Sequence, residues 1–136
     1  MIRSATLSTL RWLPLVTLAV LAAGCGPKTH IPIDVINDHA DNQTLGQLTP
    51  GWNLRHVGRD LESARRIVHR VEVGPERAGE ILMMSGGEKN DLVGRIACPA
   101  ADDPIWSQLT PRQDVIIDLR TEKGTFETVS CRSAVL

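Results

Sequence analysis

The sequence predicts a small, mainly β domain, a five-stranded Greek-key barrel that follows a signal peptide and a flexible linker. Short apolar or alternating runs, separated by glycine and proline turns, predict strands from residue 65 onward. Asp103-Pro104 predicts the start of one short helix between the third and fourth strands, with Asp103 as its cap. Three strands, a helix and two strands form the order of an OB-fold, whose closure removes most sheet edges.

The first 24 residues have the form of a secretory signal. Arg3 and Arg11 supply positive charge, and an almost wholly apolar run follows from Trp12 to Ala23. That run is too short for a membrane span, which needs about 20 apolar residues. Small residues then precede Cys25, as cleavage by a signal peptidase requires.

The stretch Leu21-Ala22-Ala23-Gly24-Cys25 resembles the lipobox of bacterial lipoproteins, in which the cysteine thiol receives a diacylglyceryl group. That family usually has leucine three residues before the cysteine, whereas Leu21 lies four before it. The resemblance implies lipidation of Cys25 and permanent attachment, since stable anchoring needs two or more acyl chains. Gly26 favours the periplasmic side of the outer membrane if the host is Gram-negative. The alternative is an ordinary secretory signal, with Cys25 a plain thiol.

Length and charge restrict the function of the remaining chain. About 110 residues follow the signal, a common size for one domain. Loss of Arg3 and Arg11 leaves 13 of the 15 basic residues against all 16 acidic ones, a net charge of about −3. This charge gives no general attraction to nucleic acid or anionic lipid, so we expect no nucleic-acid partner.

Residues 25–50 are predicted to be the lipidated N-terminus and a flexible linker. The segment contains Pro27, Pro32 and Pro50 and has neither clean helical nor clean strand periodicity. Its oxygen-rich run from Asp34 to Asn42 lacks the alternating spacing and glycine turn of a calcium loop. We therefore interpret that run as solvated linker and predict no metal site.

Residues 51–136 are predicted to be the OB-fold-like domain. Residues 52–64 stay open between helix and extended chain, because apolar residues recur at helical spacing around Gly58. The remaining predicted elements are strands at 65–73, 80–85 and 92–98, a helix at 104–109, and strands at 114–120 and 125–132.

The cysteines predict one disulfide. If Cys25 carries lipid, Cys98 and Cys131 have only each other in an exported, oxidising compartment. In the predicted barrel the third and fifth strands are neighbours, and the two cysteines lie at the same end of them. On a chain-entropy model the bond would add roughly 3–4 kcal/mol of stability.

A family resemblance covers about residues 71–136. Ile96-Ala97-Cys98, Leu109, Asp114-Val115-Ile116-Ile117 and Val129-Ser130-Cys131 resemble the tRNA-anticodon-binding-like OB-fold domains of small bacterial exported proteins. In that family a glycine usually follows the core of the fourth strand, whereas this chain has Asp118-Leu119. The resemblance implies a fold and not tRNA binding.

One basic stripe is a candidate binding surface. Arg66, Val68 and Arg70 would share a strand face, and Lys89 lies in the loop predicted at 86–90. These three basic residues could bind an anionic ligand or a glycan, although neighbouring acidic residues also fit a solvated face. The histidines have no recognised ligand spacing, and Asp102-Asp103 fits helix capping better than acid–base chemistry. We expect no catalytic residue and no cofactor.

These observations favour a membrane-anchored envelope lipoprotein that acts as a non-catalytic protein-interaction or structural module. An envelope protein would be its partner, and the membrane would hold it through Cys25. The alternative is a periplasmic OB module that binds a small ligand or an oligosaccharide on its barrel face.

Overall fold

The protein folds around one five-stranded mixed sheet. A computed structural model describes residues 30–136, so Cys25 and the rest of the predicted signal lie outside the described residues. The strand order is the order along the chain, and all neighbours are antiparallel except the third and fourth strands, which are parallel. The strands are β1 (Gly46–Thr49), β2 (Trp52–Arg59), β3 (Arg66–Val73), β4 (Asp114–Thr121) and β5 (Gly124–Ser130).

The helices account for as much of the described chain as the strands, about a third each. They are α1 (Ile33–Asp41), α2 (Pro75–Leu82), α3 (Gly86–Ile96), α4 (Ile105–Gln108) and α5 (Cys131–Val135). Three of them, α2 to α4, form the crossover that a parallel pair of strands requires.

The number of strands and the short helix before β4 are confirmed, but β1 and β2 take the place of two predicted strands and the sheet is open. Strands β1 and β5 are its two edges, and among the described residues no ladder pairs them with each other. The domain is therefore a mixed α/β structure and not a closed, mainly β barrel.

The strands predicted at 80–85 and 92–98 are wrong, because the first stretch is the end of α2 with the link to α3 and the second is the end of α3 with the turn after it. Helix α2 begins with Pro75 in its first turn, and it buries Ala78 and Ile81, which are three residues apart. That spacing places both side chains on one helix face. Short apolar runs bounded by glycine are ambiguous between strand and helix, and this run forms the end of a helix.

Helix α3 starts at a capping box that the sequence contains. The Glu88 amide donates to Ser85 Oγ at 3.3 Å, and the Ser85 amide donates to Glu88 Oε2 at 3.1 Å. The Ser-x-x-Glu spacing is a helix start signal, and it outweighs the turn suggested by Gly86-Gly87.

The predictions for β3, β4 and β5 are confirmed, and the open question at 52–64 is resolved as a strand at Trp52–Arg59 followed by a loop at 60–64. Trp52, Leu54 and Val57 of β2 are buried. A bulge after Leu54 lets the strand keep these apolar side chains inside despite their three-residue spacing. Strand β5 ends at Ser130, two residues before the predicted end, because Ser130 caps α5.

Part of the predicted linker is folded. Residues 31–50 contain α1 and β1, and Ile31 and Ile36 are buried in the core. The oxygen-rich run is the outer side of α1, an amphipathic helix that also buries His39. The packed domain therefore begins earlier than the sequence predicts.

The core lies between one face of the sheet and the helices. Every described helix contributes a buried side chain to it, and β3 and β4 contribute alternate residues. We call this side of the sheet the covered face. Its buried residues on the two central strands are Ile67, His69, Val71 and Val73 of β3 and Val115, Ile117 and Leu119 of β4, and β2 and β5 add Trp52, Leu54, Val57 and Val129. Within residues 30–136, no helix combines the length and apolar character needed to cross a bilayer.

The disulfide between Cys98 and Cys131 is confirmed, with 5.5 Å between the Cα atoms. Its setting differs from the prediction, because Cys98 follows α3 and Cys131 begins α5. The bond joins two helices that pack closely at Gly94. A Cβ added there would lie 3.2 Å from Ala134 Cβ, which is tighter than ordinary contact.

Candidate functional site

The opposite side of the sheet, which we call the open face, carries rows of polar side chains across four strands. One row runs from His56 through Arg70 and Asp118 to Thr128. The adjacent row contains Asn53, Glu72, Arg120 and Thr125. Residues that pair across a sheet present their side chains on the same face, so the two rows form one polar surface.

Two ion pairs border this surface. Arg66 Nε lies 2.9 Å from Asp60 Oδ2, and Arg55 Nε lies 3.2 Å from Glu72 Oε2. Each of these guanidinium groups therefore has a carboxylate at contact distance. Asp60 and Glu72 are therefore already paired with arginines at the border of the open face.

The centre of the surface has one carboxylate for two arginines. Asp118 Oδ2 lies 3.8 Å from Arg70 Nε and 3.9 Å from Arg120 Nε. Both distances exceed the normal hydrogen-bond range. The two Nε atoms and Asp118 Oδ1 are buried and have no hydrogen-bond partner among residues 30–136. Arg66 Nε also lacks a hydrogen bond among these residues, but it has the Asp60 carboxylate at 2.9 Å. We call Arg70, Asp118 and Arg120 the central triad.

Two adjoining cavities meet at this triad. One, of about 370 Å³, is lined by Arg55, His56, Arg70, Glu72 and Arg120 together with the turn before β5. The other, of about 640 Å³, lies over Arg66, Val68, Ile116 and Thr128 and also contacts Arg70 and Arg120. The two arginines are therefore reachable from both ends of a shallow, polar depression.

The structure separates the three basic residues proposed from the sequence. Arg66 and Arg70 lie on the open face, as strand alternation predicts. Lys89 lies in the first turn of α3, and its Nζ binds Glu127 Oε2 at 2.9 Å. Glu127 pairs with Leu119 in the sheet and so belongs to the covered face. Lys89 therefore joins a helix to the edge strand and is not part of the open surface.

A second group of titratable residues is buried on the covered face. His39 of α1 and His69 of β3 are 6% and 1% exposed, and their Nε2 atoms lie 2.9 Å apart. A hydrogen bond between two neutral imidazoles requires one ring to donate and the other to accept. The pair holds α1 against the middle of the sheet.

The pKa values of both rings are lowered. Burial, and then the charge of His39, lowers the pKa of His69 from 6.5 to about 3. Burial also lowers the pKa of His39, against an opposing effect of the Asp103 carboxylate. Both imidazoles are therefore neutral at physiological pH, and a proton on either would be costly because the rings are buried.

The histidine pair adjoins a polar cavity of about 350 Å³ that includes Asp38, Asn42, Asp103 and Gln108. Across residues 30–136, no three His, Cys, Asp or Glu side chains are grouped to hold a metal ion. Asp103 accepts a hydrogen bond from the Ile105 amide at 2.9 Å, so it serves the start of α4.

Sequence reasoning missed the histidine pair, Asp118 and Arg120. The alternation in β4 contained a usable signal, since Val115, Ile117 and Leu119 point inward and leave Asp118 and Arg120 outward. No local pattern indicates that β3 and β4 pair, because three helices separate them in the chain. His69 sits among β-branched residues, but nothing local links it to His39, which is 30 residues away.

Comparisons with known proteins give this chain no relative. No protein-family model matches it. Searches of curated proteins and of solved structures also find no match. The site must therefore be interpreted from its own geometry.

Proposed function

We propose that the protein is a lipid-anchored module of the cell envelope that binds a partner protein on the open face of its sheet. The observation that carries the proposal is the contrast between the two faces. Helices and a disulfide cover one face completely, whereas the other presents ordered polar rows lined only by strands and turns. A rigid sheet that leaves a patterned face uncovered is suited to binding.

The charge pattern favours a protein over other partners. Arginines and carboxylates are interspersed on the open face, so it offers no uniform field for a polyanion such as a nucleic acid. Its depressions are shallow and polar, whereas small-molecule pockets are mostly apolar and bury most of their ligand. Mixed charges give a protein interface its specificity and register, and the partner we propose carries a complementary mixed-charge surface.

The envelope location rests on two features. The lipobox-like stretch ending at Cys25 supports lipidation, and the Cys98–Cys131 disulfide agrees with an oxidising compartment. Labelling with a radioactive fatty acid tests the anchor, and Cys25→Ala should abolish the label. An unchanged label on that variant would refute lipidation at Cys25.

Crosslinking in cells tests the binding surface. A photo-reactive phenylalanine replaces Thr128, exposed on the open face, or Glu80, exposed on α2 and used as the matched control. We expect one protein to be captured from position 128 and not from 80. We also expect that protein, once purified, to bind the purified domain in a 1:1 ratio.

Two outcomes would refute the docking face: no crosslinked product from position 128, or the same product from position 80. If small envelope glycans raise the melting temperature of the domain and no protein is captured, the oligosaccharide-binding alternative replaces the proposal.

A further inference from the structure

Within that docking face, and therefore resting on the proposed function, we propose that Arg70 and Arg120 form a subsite for a carboxylate of the partner. The carboxylate would be an aspartate or glutamate side chain, or a chain terminus, seated between the two guanidinium groups. The proposal identifies the chemistry of the contact and the residues that make it.

The arginines at the border of the open face have one carboxylate each, whereas the two at its centre have one between them. On the open face Arg55 has Glu72 and Arg66 has Asp60 at contact distance. Among the described residues, Asp118 is the one carboxylate within 4.0 Å of Arg70 and Arg120. The central triad therefore has an excess of one positive charge, which one further carboxylate would neutralise.

The guanidinium groups of Arg70 and Arg120 also have hydrogen-bond donors that are unused within residues 30–136. A guanidinium has five N–H donors in a planar fork that fits a carboxylate. Neither Nε of Arg70 and Arg120 donates a hydrogen bond among the described residues, although both atoms are buried. The two side chains are 37% and 43% exposed, so their outer ends remain accessible. A bound carboxylate would supply the acceptors that Asp118 is too distant to offer.

The charges around Arg70 and Arg120 also favour a carboxylate over a phosphate. Glu72 and Glu122 line the cavity beside Arg70 and Arg120. A doubly charged phosphate would exceed the single excess positive charge of the central triad and leave a negative charge beside these carboxylates, whereas one bound carboxylate balances that excess. The excess of one charge and the acidic rim together favour the carboxylate, as does its planar match to the arginine fork.

Peptide binding tests the subsite. The probe is N-acetylated hexaglutamate, with hexaglutamine and inorganic phosphate for comparison, titrated into the purified domain at constant ionic strength. We expect hexaglutamate to bind better than either comparison ligand. We also expect Arg70→Gln or Arg120→Gln to weaken its binding by about tenfold, as loss of a charged hydrogen bond does.

Two further variants separate a binding role from a structural one. Arg77→Gln on α2, where Arg77 pairs with Glu80, is the matched control and should leave binding unchanged. Asp118→Asn removes the competing carboxylate and should tighten hexaglutamate binding by a few-fold, whereas damage to the face would weaken it. The three Arg→Gln variants should keep melting temperatures near that of the wild type, because these arginine side chains are 37%, 43% and 51% exposed and such ion pairs contribute little stability.

Three results would overturn the subsite: equal hexaglutamate affinity in both Arg→Gln variants, weaker binding after Asp118→Asn, or a preference for phosphate. The cellular crosslink at position 128 distinguishes this failure from failure of the docking face. A crosslink that persists in the double variant Arg70→Gln/Arg120→Gln refutes the subsite and keeps the docking face. A crosslink absent from the wild type refutes the docking face itself.

Discussion

Two consecutive residues of β3, His69 and Arg70, show how the faces of one sheet differ. His69 points to the covered face, where it is 1% exposed and bonded to His39. Arg70 points to the open face, where it shares a carboxylate with Arg120. The polar pair on the covered face is buried and its two rings bond each other. At the centre of the open face two partly exposed arginines have one carboxylate between them.

The two faces of the sheet are expected to have different roles, with stability depending on one and binding on the other. Buried apolar residues and a matched polar pair stabilise the fold, because removing them from water is favourable or is compensated. Exposed charges add little to stability, so they can be arranged for a partner. We therefore expect changes to the covered face to affect folding and changes to the open face to affect binding.

The largest expected effect concerns the disulfide, which cross-links only the covered side. The double variant Cys98→Ala/Cys131→Ala opens a loop of 33 residues, which should lower the free energy of unfolding by about 3.7 kcal/mol. Denaturation in guanidinium chloride measures it. Wild-type protein with a reducing agent is the control and should lose a similar amount. Unchanged stability in both would show that the bond does not support the covered face.

The next effect compares adjacent isoleucines on opposite faces. Ile117 is 0% exposed in the core, whereas Ile116 lies over the larger open cavity. Ile117→Ala should cost about 3 kcal/mol, because it leaves a cavity among packed helices. Ile116→Ala, the matched control, should cost about 1 kcal/mol. Equal losses would mean that the open face is as tightly packed as the covered one.

The third effect is a dependence on pH confined to the histidine pair. The folded pKa of His69, about 3, lies below its unfolded value of 6.5. As the pH falls below 6.5 the unfolded chain binds the proton first, so stability declines. From pH 7 to pH 5 His69 should account for a loss of about 2 kcal/mol. His39 should add to the loss, since its pKa is lowered too.

Urea denaturation at several pH values measures this loss. The variant His39→Leu/His69→Leu keeps the site apolar and lacks both titrating groups, so its stability should decline less between pH 7 and pH 5. The same decline in the variant and the wild type would place the titrating groups elsewhere and contradict the interpretation of the pair.

Local sequence patterns predicted the sheet better than they predicted the helices. The alternation of Val115, Ile117 and Leu119 identified β4, and Arg66 to Val73 has the β-branched composition of β3. The apolar runs at 80–85 and 92–98 are too short for periodicity to distinguish strand from helix. Ser85 and Glu88 formed the one local signal that could have corrected the second of these.

The cysteine pair was predicted correctly although the reasoning about strands was wrong. On the expectation that the chain is exported and that Cys25 carries lipid, counting thiols left Cys98 and Cys131 as partners, and that count does not depend on the fold. The actual contact is between α3 and α5, which pack through Gly94. The predicted disulfide is therefore correct although the predicted strand topology is not.

Local patterns in the chain specify the alternating faces of β3 and β4 and the start of α3, because side chains alternate along a strand and a capping box satisfies free amides. The pairing of Cys98 with Cys131 followed from the sequence only on the expectation that Cys25 carries lipid. Tertiary structure alone decided that the sheet stays open, that His39 meets His69, and that Arg70 and Arg120 share Asp118. Each of these joins residues far apart in the chain, and only the packed fold brings them together.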